Sequence, residues 1–526
     1  MKLSFRFLYA RFMVAAAIVA MISSARGSNL YEQDAASTPQ CAIDRAVFAQ
    51  LESLGLTPAP PCSDAVFVRR AFLDVIGTLP TAGEARAFLQ DRTPEKRRVL
   101  IDRLLEREEF ADYWATKWSD LLRIKAEFPI NLWPNAAQAY HRWVRTAVRD
   151  NLPYDQFARE LLTASGSNFR VGPANFFRAV QSREPAALAR TVALTFMGVR
   201  AEKWPDRELA AMAMCFRYIG YKSTGEWKEE IVFFDSNLFP PGGRAAAIFP
   251  DKTVAHLTVD QDPRVVFADW LIRPENPWFT RAIVNRVWSW LLGRGIVHAP
   301  DDIRPDNPPS NPELLTLLER ELIAARYDLK QLFRLILNSQ VYQLSSVTRS
   351  DRPEAAAHFA AYPLRRLDAE VLIDALNQIS GTHEKYSSAI PEPFTFIPER
   401  SRAIALPDGS ITSSFLEAFG RPSRDTGLES ERSNGITANQ RLLLLNSSLV
   451  RRKLEQGPKL QPIFRLRNRQ RETVDVLYLT MLSRHPTEDE RAGVAAHLTA
   501  AGNDTRDALV DIAWALINST EFLHRH

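Results

Sequence analysis

The chain has 526 residues and a mass of 59.5 kDa, more than one compact core usually holds, so its length predicts two or three domains. With 46% hydrophobic and 24% charged residues, its composition is that of a globular protein and excludes an intrinsically disordered chain. The 66 basic and 62 acidic residues leave a net charge of only +4, mixed in sign along the chain, which argues against nucleic acid as the main partner.

The N-terminal segment has the layout of a secretory signal peptide. Basic residues precede a short apolar run, Phe12–Ile22, and small residues including Ser23 and Ala25 close it. This pattern predicts a signal peptide over residues 1–25 and export to the periplasm or the cell surface. An uncleaved membrane anchor is the alternative, although the run is short for a membrane span. We expect no other span, because no later segment is sufficiently apolar.

Three cysteines follow the predicted signal peptide. Cys41 opens a helical stretch, and Cys62 closes the proline-rich loop after it. Because exported proteins can form disulfides, a Cys41–Cys62 bridge could staple this helix and loop together. The alternative is two free thiols, since connectivity cannot be read from sequence. Cys215 lies among alanine and methionine and is expected to be a buried apolar residue.

Most of the chain has the pattern of short amphipathic helices with clear starting signals. Residues 81–84 and 487–490 are capping boxes, each preceded by proline and followed by an apolar periodic run. They belong to a weak internal repeat that matches residues 72–84 to residues 478–490. We interpret the repeat as a reused helical hairpin whose repeated residues are packing positions. The predicted fold class is mainly α and multi-helical, in two domains built from short helical hairpins.

The middle of the chain does not have this amphipathic helical pattern. Residues 229–235, 245–250 and 253–258 have the pattern of strands in a small antiparallel sheet, around turn residues Pro240–Gly243. We therefore expect a β-rich connector over residues 221–261.

A second β element is predicted within a loop insertion near residues 380–413. Arg402–Leu406 has the pattern of a short strand and is followed by a Pro-Asp-Gly turn. The expected organisation is a helical domain over residues 26–220, the connector, and a second helical domain over residues 262–526.

Several long motifs resemble known domains. The first half resembles the uncharacterised, cytochrome-associated domain of exported planctomycete-type proteins that is labelled PSCyt, and the second half resembles its usual companion, labelled PSD. The motifs that carry the resemblance are Phe67–Thr81, Trp114–Arg123, Tyr154–Leu162, Asn276–Trp288, Gly293-Arg-Gly, Asn307–Leu315 and Phe419-Gly-Arg-Pro. Both domains are of unknown function, so the resemblance implies a helical architecture and an exported location but no reaction.

In many relatives of this kind the Gly198-Val-Arg segment runs into a Cys-x-x-Cys-His motif, which attaches haem covalently. Here the chain continues as Ala201-Glu-Lys-Trp-Pro, and no Cys-x-x-Cys-His occurs anywhere in the sequence. Covalent c-type haem is therefore excluded, and we interpret this segment as structural. The nine histidines are dispersed without metal-ligand spacing, so neither a metal nor another cofactor is predicted.

Two polar clusters are candidate sites. The first places Asn285-Arg286 on an aromatic helix before the carboxylates Asp301 and Asp302, which could bind a sugar or act as general acid and base. A salt-bridged lock between packed elements is the favoured interpretation. The second cluster is a loop of alternating charge that contains Glu429, Glu431 and Arg432. No nucleophile elbow or phosphate-binding loop accompanies them, and Gly293-Arg-Gly lacks the third glycine of a dinucleotide-binding motif.

The leading functional hypothesis is a non-enzymatic scaffold or binding module of the cell envelope that holds a protein or a polysaccharide. The first alternative is a carboxylate-dependent hydrolase of envelope or extracellular glycans, with a site assembled from Asp301, Asp302, Glu429 and Glu431. This alternative requires those carboxylates to converge in one cleft. The second alternative is a haem-less partner of an electron-transfer system.

Overall fold

The computed structural model describes residues 30–435, 437–465 and 470–526. The predicted signal peptide at residues 1–25 lies outside these described residues. Of the helices in the described part of the chain, none is both long and apolar enough to cross a membrane.

Helices make up most of the molecule, which confirms the mainly α fold class. Those of the first half are α1 Ala42–Ser53, α2 Asp64–Ile76, α3 Ala82–Gln90, α4 Lys96–Leu105, α5 Glu108–Leu121, α6 Pro134–Arg149, α7 Tyr154–Thr163, α8 Pro185–Val192 and α9 Asp206–Ala213. One π-helical turn, Ala193–Met197, continues α8.

The helices of the second half are α10 Pro263–Leu271, α11 Phe279–Leu292, α12 Pro312–Ala324, α13 Leu329–Leu337, α14 Gln340–Gln343, α15 Glu354–Ala357, α16 Ala369–Ser380, α17 Ser414–Ala418, α18 Ala438–Asn446, α19 Ser448–Gln456, α20 Leu460–Phe464, α21 Gln470–Leu482, α22 Glu488–Ala501, α23 Thr505–Ile517 and α24 Thr520–Leu523. Short 3-10 helices cover Gly172–Asn175, Ala201–Lys203, Met214–Phe216, Ser236–Leu238, Ala403–Ala405, Glu429–Glu431 and Gly502–Asp504.

Both capping boxes are present as the sequence predicts. The Thr81 hydroxyl accepts the Glu84 backbone N–H, and the Glu84 carboxylate accepts the Thr81 N–H at 2.8 Å. Thr487 and Glu490 repeat this reciprocal pair at the start of α22, at 2.7 Å. The same local chemistry therefore begins the second helix of both hairpins.

The strands of the connector are antiparallel but form two sheets instead of one. The strands of the described chain, inside and outside the connector, are β1 Gly166–Ser167, β2 Ile219–Ser223, β3 Glu230–Phe234, β4 Arg244–Ile248, β5 Val254–Thr258, β6 Arg365–Arg366 and β7 His524–Arg525. One sheet has the order β1-β3-β2, the next pairs β4 with β5, and the last pairs β6 with β7. The sequence patterns missed β1, β6 and β7, because strands of two residues carry little periodicity and these pair over long chain distances. They also missed β2, although it pairs with the nearby β3.

The strand predicted at Arg402–Leu406 is wrong, because Ala403–Ala405 is a 3-10 helix. Its first backbone N–H groups, on Ala403 and Ile404, donate to the carboxylate of Asp374 at 2.8 and 3.1 Å. Asp374 lies on α16, so this capping partner is distant in sequence and leaves no local signal.

The three cysteines are free thiols, so the structure has two free thiols at Cys41 and Cys62 and no disulfide between them. Cys41 stands at the N-cap of α1, where its backbone N–H donates to Asp44 at 3.0 Å. Cys62 and Cys215 are buried, the latter as predicted.

Buried apolar side chains from both halves form one continuous core. Aromatic rings join the halves at its centre: the Trp290 ring on α11 lies 5.3 Å from Trp114 and 5.8 Å from Trp118, both on α5. These contacts hold α5 against α11 and fix the geometry of the charged groups that project beside the rings.

Candidate functional site

A cavity of about 660 Å³ lies where α5, α11 and the sheet of β6 and β7 meet. Its wall is unusually rich in charge for a space within the fold. We call this space the first cavity. The charged groups in its wall are Lys117, Arg200, Asp301, Arg365, Arg366, Glu429, Arg432 and Arg525. The predicted residues Asp301, Glu429 and Arg432 are therefore brought together, and the others were not predicted.

Asp301 is held by a buried ion pair with Arg286. The Asp301 Oδ1 lies 2.8 Å from Arg286 Nη2, and the two side chains are 1% and 0% exposed. Its second oxygen, Oδ2, accepts the backbone N–H of Glu429 at 2.6 Å. Arg286 also donates to the Thr195 carbonyl at 2.8 Å. Both oxygens of Asp301 are thus engaged, as in the predicted lock, and the residue positions the chain at Glu429.

Glu429 presents a carboxyl group that the fold leaves partly free. Its Oε2 accepts the Trp290 indole N–H at 3.2 Å, whereas no described residue donates a hydrogen bond to Oε1. Burial raises the pKa of Glu429, and the nearby Asp301 adds to this shift against the opposing effect of Lys117. The side chain therefore holds a proton at higher pH than an exposed glutamate does.

Lys117 and Arg525 share one buried carboxylate behind the cavity wall. Asp368 Oδ2 lies 3.0 Å from Lys117 Nζ and 2.9 Å from Arg525 Nη2. Burial and the charge of Arg432 lower the pKa of Lys117, and Asp368 opposes this change. Sequence reasoning missed this group, although a lysine flanked by core tryptophans in Trp114-Ala-Thr-Lys-Trp118 was a usable signal.

Arg432 is engaged in structural ion pairs. It lies 2.7 Å from Glu370 and 2.6 Å from Asp120. Burial alone would raise the pKa of Glu370, but the Arg432 guanidinium outweighs it and lowers this pKa to about 2. Arg432 therefore joins the Glu429 loop to α5 and α16.

Asp302 and Glu431 do not line the first cavity. Asp302 pairs at the surface with Lys203 at 3.1 Å and Arg304 at 3.2 Å. Glu431 accepts the backbone N–H of Thr426 at 2.7 Å, which closes its own loop. Of the carboxylates proposed for a hydrolytic site, the cavity thus contains Asp301 and Glu429 alone.

Arg200 enters the cavity from the Gly198-Val-Arg segment, which the sequence had suggested is only structural. Gly198 has φ 65° and packs on the loop that carries Asp301, where its carbonyl accepts the Ile303 N–H at 2.9 Å. No described residue forms an ion pair with Arg200, and its buried Nε has no hydrogen-bond partner. The segment therefore places an unpaired cation beside the Glu429 loop.

The lining is positive once paired charges are set aside. Arg366 donates only to carbonyl groups, including those of Phe419 and Ser433, so its charge adds to that of Arg200. The remaining cations of the wall are matched by carboxylates: Lys117 and Arg525 by Asp368, Arg365 by Asp74, and Arg432 by Glu370 and Asp120. An anionic group is the complement of such a wall.

The described residues include no group of three or more histidine, cysteine, aspartate or glutamate side chains arranged to hold a metal ion. The expectation that the protein works without metal or haem stays a prediction.

These features define a mainly α-helical protein whose two halves together line a charged cavity. The family model of PSCyt2, described as a protein of unknown function (DUF1549), matches residues 42–203. That of PSD1, described as a protein of unknown function (DUF1553), matches residues 263–498. The PSCyt2 match precedes the PSD1 match along the chain, in the order that the resemblance implied. No curated protein and no solved structure matches the chain.

Both matched regions contribute to the first cavity. Lys117 and Arg200 belong to the PSCyt2 match, whereas Asp301, Arg365 and Glu429 belong to the PSD1 match. The wall of the first cavity is thus built from both matched regions.

Proposed function

We propose that the protein is an exported, non-enzymatic binding module that holds an anionic sugar unit of an envelope or extracellular polysaccharide in the first cavity. The observation that carries this proposal is that Arg200 and Glu429 line the same polar cavity. Arg200 forms no ion pair with a described residue, and one carboxyl oxygen of Glu429 accepts no hydrogen bond from one. Apart from Arg366, the other charged groups of the wall are matched by ion-pair partners. Binding energy is therefore available at these two side chains in particular.

The size and chemistry of the cavity favour a sugar that bears a sulfate or carboxylate. About 660 Å³ is within the range of small-ligand sites. A guanidinium group binds such planar or tetrahedral anions through parallel N–H donors. A protonated Glu429 can donate a hydrogen bond to a sugar hydroxyl or to an anionic oxygen.

Calorimetric titration with N-acetylglucosamine 6-sulfate and with unsulfated N-acetylglucosamine tests this proposal. We expect the sulfated sugar to bind at least about tenfold more tightly, equivalent to about 1.4 kcal/mol. Arg200→Gln should remove this difference, whereas Arg304→Gln, which alters an exposed arginine outside the cavity, should preserve it. Equal binding of the two sugars, or an unaltered preference in Arg200→Gln, would contradict the proposal.

Export is the second part of the proposal and rests on the pattern of residues 1–25. N-terminal sequencing of the protein isolated from its native envelope fraction should yield Arg26 as the first residue. Recovery of an intact Met1 from the soluble cytoplasmic fraction would contradict it.

One observation favours the hydrolase as a second candidate. Glu429 has a raised pKa and a free oxygen in the cavity, which suit a general acid. Asp301 does not supply the second carboxylate of a glycosidase, because both its oxygens are bonded. Turnover of chromogenic sulfated glycosides that disappears in Glu429→Gln would favour this candidate, and the binding-module proposal expects no turnover.

A further inference from the structure

A second cavity of about 220 Å³ lies next to the first. Leu364 lines both cavities, and it is 54% exposed at the ridge between them. Gly293 lines the first cavity, and its neighbour Arg294 lines the second. An extended ligand can therefore cross from one cavity to the other over a short apolar ridge.

The Gly293-Arg294-Gly295 motif determines how Arg294 is placed. Gly293 ends α11 with φ 71°, and a Cβ on it would collide with Arg365. A Cβ on Gly295 would collide with the Val297 carbonyl oxygen. Both glycines are thus needed for close packing, and together they present the single side chain between them at the boundary of the two cavities.

Arg294 has the same unpartnered character as Arg200. No described residue forms an ion pair with it, and its buried Nε lacks a hydrogen-bond partner. Burial lowers the pKa of His298, in the first cavity, and the charge of Arg294 lowers it further. The same two effects, in the same order, lower the pKa of His358, near the second cavity. The guanidinium charge therefore acts on both sides of the ridge.

We infer that Arg294 forms a second anion subsite, so that the ligand is an acidic oligosaccharide with one anionic group in each cavity. The inference rests on the proposed function and specifies its ligand class. Besides Arg294, the wall of the second cavity contains Arg352, which pairs with Glu354 at 3.7 Å. It also contains Ser346 and Ser350, whose hydroxyl groups can donate to an anion, and the apolar Ala355 and Phe359, which suit a sugar face. The second anion is a sulfate ester or a uronate carboxylate, both of which guanidinium groups bind.

The test uses three disaccharides that share one sulfated sugar. The second sugar carries no charge in the first compound, a sulfate in the second, and a carboxylate in the third. We expect wild-type protein to bind at least one doubly charged compound about tenfold more tightly than the singly charged one. The compound with the larger gain identifies the source of the second anion.

Arg294→Gln should lose this gain, whereas its affinity for the singly charged disaccharide should fall by no more than about threefold, because the Arg294 charge reaches the first cavity only from outside its wall. Arg320→Gln, which alters an exposed arginine on α12 that lines neither cavity, is the matched control and should keep the gain. Equal wild-type affinity for all three compounds, or a full gain in Arg294→Gln, would overturn the subsite and leave the proposed function standing. If the singly charged compound does not bind at all, the proposed function fails first and the subsite fails with it.

Discussion

The first cavity and the charge cluster around Arg484 both gather charged side chains that are wholly or partly buried, but they differ in how completely these groups are partnered. Arg484 donates to Glu490 through Nη1 and Nη2, each at 2.7 Å, and to Glu521 through Nε at 2.7 Å and Nη2 at 2.8 Å. In the first cavity, Arg200 and one oxygen of Glu429 have no such partners among the described residues.

This difference shows why buried charge by itself does not mark a functional site. Burial raises the pKa of Glu429 and would lower that of Arg484, yet in Arg484 the carboxylates of Glu521 and Glu490 outweigh it and raise the pKa. A closed cluster of this kind uses all its hydrogen-bonding capacity within the fold. A group that is buried but left open towards a cavity retains that capacity for a ligand.

Removing the cation of the closed cluster should produce the largest effect. Arg484→Met removes the ion-pair partner of the buried Glu490 and Glu521, so we expect a loss of about 3–5 kcal/mol in the free energy of unfolding. Urea denaturation of the full-length protein measures it, and binding of the sulfated sugar by the folded fraction should be unchanged. Arg451→Met, in an exposed ion pair with Glu455, is the control, with a change of about 0.5 kcal/mol or less. A loss of sugar affinity in Arg484→Met without loss of stability would contradict the claim that the Arg484 cluster stabilises the fold and takes no part in binding.

Asp301→Asn should lower both the stability of the protein and its affinity for the sugar. It leaves the Arg286 guanidinium buried beside a neutral amide, which we expect to cost about 2–4 kcal/mol of stability. It also weakens the acceptor for the Glu429 backbone N–H, so sugar affinity should fall about threefold to tenfold. Denaturation and calorimetry on the same sample test the pair of effects. A variant that loses stability but binds normally would mean that Asp301 does not position Glu429.

Sugar affinity should decrease as pH rises through the raised pKa of Glu429. Below that pKa the carboxyl is uncharged and can donate to the ligand, and above it the carboxylate repels the ligand anion. Glu429→Gln should flatten this part of the profile, and we expect any pH dependence that remains in this variant to come from His298, whose pKa is lowered by burial and by the charge of Arg294. Calorimetric affinities across the acidic and neutral range provide the measurement. An identical slope in Glu429→Gln and wild type would assign the pH dependence elsewhere.

Asp302→Asn should have the smallest effect of the series. Asp302 pairs with Lys203 and Arg304 near the surface and does not line the first cavity. We expect a stability change of about 0.5 kcal/mol or less and unchanged sugar affinity, measured as for Asp301→Asn. A loss of affinity comparable with that of Asp301→Asn would extend the site beyond the first cavity.

Features determined by neighbours in sequence were predictable. The capping boxes and the mainly α class follow from local spacing, and the Arg286–Asp301 lock joins a helix to the loop that follows it. The Lys117–Asp368 pair was missed because its partners are 251 positions apart. Arg200 was misjudged because only the folded chain shows that it lines a cavity and forms no ion pair with any described residue.

A crystal structure of the protein soaked in N-acetylglucosamine 6-sulfate tests the central claim most directly. The account predicts sulfate density within hydrogen-bond distance of the Arg200 guanidinium in the first cavity, with Glu429 contacting the same molecule and the Arg484 cluster unchanged. An empty first cavity at saturating sugar, or sugar bound only at a site remote from Arg200, would contradict it.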